Sequence, residues 1–91
     1  MDWDDPLDPV AVTVDEVANG VRPVLIVMHE EGHGGWQLLD GDDVSERAPR
    51  VMPKADVLAI DPSLAAVKDL PVGWQAVRAS VNAPWNRSPI D

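Results

Sequence analysis

Val24-Leu25-Ile26-Val27-Met28-His29-Glu30, followed after a glycine-rich break by Gly35-Trp36-Gln37-Leu38-Leu39-Asp40, is the stretch on which the fold turns. Residues 24–28 are apolar without alternation, and Val24, Ile26 and Val27 are β-branched. Such a run reads as a central strand covered on both sides. Gly32, Gly34 and Gly35 interrupt it, and Trp36 to Leu39 resumes an extended pattern. Residues 23–29 and 35–40 are therefore expected to form a hairpin around a glycine-rich loop.

Toward the N-terminus, Val10, Val12 and Val14 alternate with Ala11 and Thr13, which predicts a strand over 10–13. Thr13-x-x-Glu16 has capping-box spacing and predicts a short helix over 14–19, with Gly20 ending it in the left-handed conformation. Residues 1–9 hold four Asp and two Pro and read as a flexible acidic lead-in. Toward the C-terminus, Asp40-Gly41-Asp42-Asp43 is a turn signal, and residues 42–54 read as a polar connection. Val57-Leu58-Ala59-Ile60 reads as a second buried strand. Asp61-Pro62-Ser63 opens a helix, with Asp as cap and Pro at the first helical position. Leu64, Val67 and Leu70 share one face of it, and Pro71 stops it. A last strand over 72–80 changes phase near Ala76–Val77, the signature of a bulge, and residues 82–91 read as a tail. The expected fold is one α+β domain over residues 10–81. Four or five mostly antiparallel strands (about 10–13, 22–29, 35–40, 56–60 and 72–80) would be packed by two short helices on one face.

The chain has 91 residues, 16 Asp+Glu against 7 Lys+Arg, and a net charge of -9. At 45% hydrophobic it is too apolar for a disordered acidic tail. A negative field opposes binding to a phosphate backbone, so nucleic acid is not the expected ligand. The run at 24–28 is the longest apolar one, too short to span a membrane. Met1-Asp2-Trp3-Asp4-Asp5 lacks the positive start of a secretory signal, and there is no Cys; both suit a cytoplasmic protein. Residues 1–46 hold 12 acids and one base, Arg22, whereas residues 47–91 hold four acids and six bases. The expected ligand is a protein of basic character.

His29-Glu30-Glu31-Gly32-His33 satisfies the H-E-x-x-H pattern of zinc hydrolases, which needs both imidazoles one helical turn apart. Here the string follows a strand pattern and contains a glycine, so both histidines are expected in the hairpin loop and no metal site is assigned. Ser45, Ser63, Ser80 and Ser88 lack the strand–turn–helix setting of a nucleophile, and no glycine loop has phosphate-binding spacing. Asp40-x-Asp42-Asp43 lacks the glutamate of a calcium loop. Trp36 and Trp74 fall in strand patterns, where core packing is the default for a ring of this size. Glu30, Glu31, Asp40, Asp42, Asp43 and Glu46 bracket the hairpin, with Glu30–Glu31 and Asp40–Asp43 at opposite ends of its strands.

The succession Val10-Ala11-Val12-Thr13, Val24 to Glu30, Gly35-Trp36 and Gly41-Asp42 resembles a family of small bacterial domains of unknown function. They are described as candidate immunity proteins of polymorphic-toxin systems. His29-Glu30 stands at the family's basic-Glu position, Gly35-Trp36 at its Gly-Trp and Gly41-Asp42 at its Gly-Asp; Asp61-Pro62-Ser63-Leu64 is similar to its later helix start. The likeness covers about residues 10–75. The family more often has Arg before the Glu, where this chain has His29.

The resemblance implies a non-catalytic binding protein that neutralises a basic toxin by occluding it. The acidic cluster that brackets the hairpin, together with Trp36, independently supplies the expected contact residues, Glu30, Glu31, Trp36, Asp40, Asp42, Asp43 and Glu46, and no catalytic residue, metal or cofactor is expected. Two other readings stand beside it: a small metal-dependent hydrolase using His29, Glu30 and His33, and an accessory adaptor domain.

Overall fold

The structure, a computed structural model, describes Trp3 and residues 10–31, 35–41 and 48–90. Six strands form one mixed sheet: β1 (Val10–Val14), β2 (Ile26–His29), β3 (Trp36–Leu39), β4 (Pro49–Pro53), β5 (Trp74–Val77) and β6 (Asn86–Pro89). Their order is β4-β1-β3-β2-β5-β6. β1 and β3 run parallel, and every other pairing is antiparallel. The helices are α1 (Asp15–Ala18), α2 (Lys54–Ile60) and a 3-10 helix (Pro62–Val67). The α+β class is as expected, with more strands than the four or five foreseen. No described helix is long and apolar enough to cross a membrane.

The register aligns side chains in rows across the sheet. One row crosses Thr13, Leu38, Val27 and Ala76, all at 1% exposure or less. Against this face pack Val17 of α1, Val57 of α2, and Leu64 and Val67 of the 3-10 helix. The next row, Val51-Val12-Gln37-Met28-Gln75-Ser88, points the opposite way and is partly or fully exposed throughout. β2 is thus fully buried on one side only, contrary to the expectation from its unbroken apolar run. Alternation along a strand sends Val27 and His29 into the core and leaves Ile26 and Met28 partly accessible.

The hairpin of β2 and β3 forms as expected, from Ile26 opposite Leu39 to His29 opposite Trp36. Gly20 ends the turn after α1 at φ 74. Thr13 does not cap α1: the position before the helix is Val14, and the Thr13 hydroxyl donates to the Leu38 carbonyl, tying β1 to β3.

Residues 57–60 are helical, not a strand. A run of four apolar residues carries no period of its own. Lys54 and Val57, three apart, are the α2 residues that face inward. Pro62 keeps Asp61 extended (φ -138, ψ 92), so the helix ends there. Asp61 caps the following 3-10 helix, accepting from the Ser63 backbone N–H at 3.0 Å, and Leu64, Val67 and Leu70 are buried as their spacing requires.

Two edge strands lie in stretches read as loop and tail. β4 pairs with β1 across all five residues, from Val10 opposite Pro53 to Val14 opposite Pro49. Proline at either end is compatible with an edge, where fewer ladder bonds are needed. β6 pairs with β5 and is exposed at all four residues, so it has no apolar period to reveal it. Arg87 anchors it, donating at 2.7 Å to the Ala66 carbonyl and to Asp69. β5 shows no bulge: its register holds through Val77 on both sides, and the Arg78 N–H continues it to the Leu25 carbonyl.

Gly73 joins three strands at one corner. Its N–H donates to the His29 carbonyl and its carbonyl accepts from Ile90. It sits at φ 85, while a Cβ built there would meet nothing within 4 Å. Replacing Gly73 with Ala should therefore cost about 1–2 kcal/mol through backbone strain alone. Urea unfolding checks this, and an unchanged midpoint would contradict the left-handed backbone.

Candidate functional site

Glu30 and Glu31 follow β2 directly. The Glu30 N–H donates to the Gly35 carbonyl at 2.7 Å, closing the hairpin end and fixing where the carboxylates emerge. Gln37 donates from Nε2 to Glu30 Oε2 at 3.2 Å. Both glutamates are exposed and line a cleft of about 400 Å³ with Val72, Gly73 and Ile90. Val72 is 40% exposed there. Acidic groups over apolar surface suit a Lys or Arg side chain, whose stem packs while its charge reaches a carboxylate.

The other expected contact residues fall elsewhere. Trp36 is wholly enclosed. Its ring stacks on His29, with centroids 3.9 Å apart, and meets the edge of Trp3 at 5.0 Å. Lys54, itself buried, sits 5.6 Å over Trp3 and 5.9 Å over Trp36. Trp36 is thus a core residue and offers no surface for contact. Trp3, from the segment read as a flexible lead-in, belongs to the same core. Asp40 is also buried, with a carboxylate oxygen 3.8 Å from Arg22 Nε, so it too lies off the surface. It stands at the opposite end of the hairpin from Glu30, as the strand reading requires. Asp42, Asp43 and Glu46 lie outside the described residues.

The H-E-x-x-H string does not begin as a helix. His29 is the last residue of β2, not a loop residue, and is 2% exposed. Its Nδ1 lies 2.6 Å from the Leu70 carbonyl. A carbonyl can only accept, so Nδ1 carries the proton. Nε2 is enclosed, with no hydrogen-bond partner among the described residues. A residue ending a strand cannot head the helical turn that zinc-hydrolase chemistry requires. Among the described residues no group of three or more His, Cys, Asp or Glu is placed to hold a metal, and His33 lies outside them.

A second cleft, about 420 Å³, opens at the other end of β2 beside Val21, Arg22, Ile60, Asp61 and Val81. Its Asp61 wall is built by a buried cluster that sequence patterning did not reveal. Arg78 donates from Nε and Nη2 to the Val24 carbonyl at 3.0 and 2.8 Å, from Nη2 to Asp61 at 2.6 Å, and from Nη1 to Ser63 at 2.9 Å. The Trp85 ring lies 4.3 Å from the guanidinium carbon. Burial alone would raise the Asp61 carboxyl, but bonds from Ser63 and Arg78 outweigh it and hold the group below the usual carboxylate range. Asp61 is thereby occupied in holding the fold together.

Of the expected contact residues that the structure describes, Glu30 and Glu31 are the ones at the surface. No family model, curated protein or solved structure matches this chain.

Proposed function

We propose that the chain is a non-catalytic acidic binding protein of the immunity type, acting in the cytoplasm to neutralise a cognate toxin by occluding it. The observation that supports this reading is the pair of exposed carboxylates, Glu30 and Glu31, set over the apolar walls Val72 and Ile90. Apolar walls with a charged rim have the composition of an interface. The net charge of -9 draws a basic partner toward it.

The test is the double charge reversal Glu30→Lys with Glu31→Lys, assayed against the product of a neighbouring toxin-like reading frame. Association at low salt is expected to slow by roughly tenfold, with a weaker salt dependence, because steering acts on the encounter rate. Protection of toxin-expressing cells should fall with it. A folded double variant that associates and protects like the parent would refute the assignment of this surface.

A further inference from the structure

The sheet has a second surface that runs into the acidic cleft. Its middle row is Val51-Val12-Gln37-Met28-Gln75-Ser88, and Ile26 and Val77 lie in the row beside it. Met28, Ile26 and Val12 are partly exposed, Val77 is 36% exposed and Val51 61%. No strand residue on this face carries a charge, in a chain that is 25% charged. An uncharged sheet centre with a flexible, polarisable Met among branched aliphatics resembles the core of an interface. Glu30 continues the alternation of Ile26 and Met28, and its carboxylate is tied to Gln37 of the same row. The charge-free platform and the carboxylates therefore form one continuous surface.

Resting on the binding function proposed above, we infer that this face is the docking platform for a polypeptide partner with an apolar strip ending in basic side chains. The strip lies over Met28, Val12 and Ile26, its amide-bearing edges meet Gln37 and Gln75, and the cation sits at Glu30 and Glu31. The charge pattern decides the occupant. A second copy of this chain would bring -9 against -9. Six strands about 4.8 Å apart and four or five residues long also give a footprint well below the roughly 800 Å² per partner of a standard interface, so the platform and the acidic end must act together.

The probe is a synthetic peptide with a Leu/Ile strip ending in two Lys, beside a scrambled peptide of equal composition. Binding is followed by backbone amide shifts of the full chain. Saturable shifts at Met28, Gln37, Gln75 and Glu30, with no saturable binding of the scrambled control, are expected. Met28→Arg should weaken the peptide about tenfold. Gln75→Arg, at a position already polar and partly exposed, should do the same with an unchanged urea midpoint. Equal binding of the scrambled peptide, no binding, or shifts confined to the helical side would overturn the inference. Sedimentation showing a dimer that Met28→Arg dissolves would overturn it in favour of a second copy. If Glu30→Lys with Glu31→Lys abolishes toxin protection while folded Gln75→Arg protects fully, the platform fails and the binding function stands.

Discussion

Replacing Arg78 with Met is expected to destabilise the domain by about 3–5 kcal/mol, the cost of breaking a buried ion pair from one side. The side chain is 2% exposed against 19% for Asp61. Its guanidinium joins the loop before β2, the start of the 3-10 helix and the end of β5. Methionine fills much of the volume but removes the guanidinium from the Val24 carbonyl and from Asp61 Oδ2, leaving the Asp61 charge with only its Ser63 donors. A domain of this length has about 5–10 kcal/mol of total stability, so much of it is lost. Arg78→Lys keeps the charge but not the fork, and should fall between. Combining Arg78→Met with Asp61→Leu should recover part of the loss, because no unpaired charge then remains. Urea unfolding monitored by circular dichroism measures all three; a single methionine variant within 1 kcal/mol of the parent would show that the cluster is not structural.

The same cluster sets an acid dependence. Asp61 is held below its ordinary value when folded, so its contribution is fully present above the unfolded carboxylate pKa, about 3.9. It is lost as pH falls through the folded value. The stability difference between the parent and Asp61→Asn should be constant above about pH 4 and shrink below it. A difference that stays level to lower pH would contradict the depressed carboxyl.

Trp36→Ala is expected to cost about 3–5 kcal/mol, a large share of the stability of a domain of this length. Four groups lose their surroundings together: His29 its stacking partner, Trp3 its edge contact, Lys54 part of its cation–π environment, and the hairpin its largest buried side chain. Trp36→Phe keeps an aromatic face and should cost much less. Near-ultraviolet circular dichroism and urea unfolding separate the outcomes. A Trp36→Ala chain that folds normally but no longer binds its partner would restore the surface role once expected of this residue.

The elements legible in the sequence were those whose signal is local. The hairpin needs only two apolar runs and glycines between them. The 3-10 helix needs only Asp61, Pro62 and the spacing of Leu64, Val67 and Leu70. Glu30 and Glu31 could be placed at a hairpin end because they directly follow β2. Elements whose identity depends on distant neighbours were misread. β4 and β6 are held by backbone pairing with β1 and β5, which leaves no pattern in exposed side chains such as those of Asn86 to Pro89. Trp36 and Asp40 looked like contact residues because type and charge say nothing about burial.

Local residue order thus decided the α+β class, the hairpin, the acidic balance and the place where Glu30 and Glu31 emerge. Strand order, the enclosure of one sheet face and the pairing of Arg78 with Asp61 needed the assembled chain. The reason is physical: turns and caps are satisfied within a few residues, whereas desolvation and ion pairing depend on groups such as Val24 and Arg78, brought together only by the closed fold.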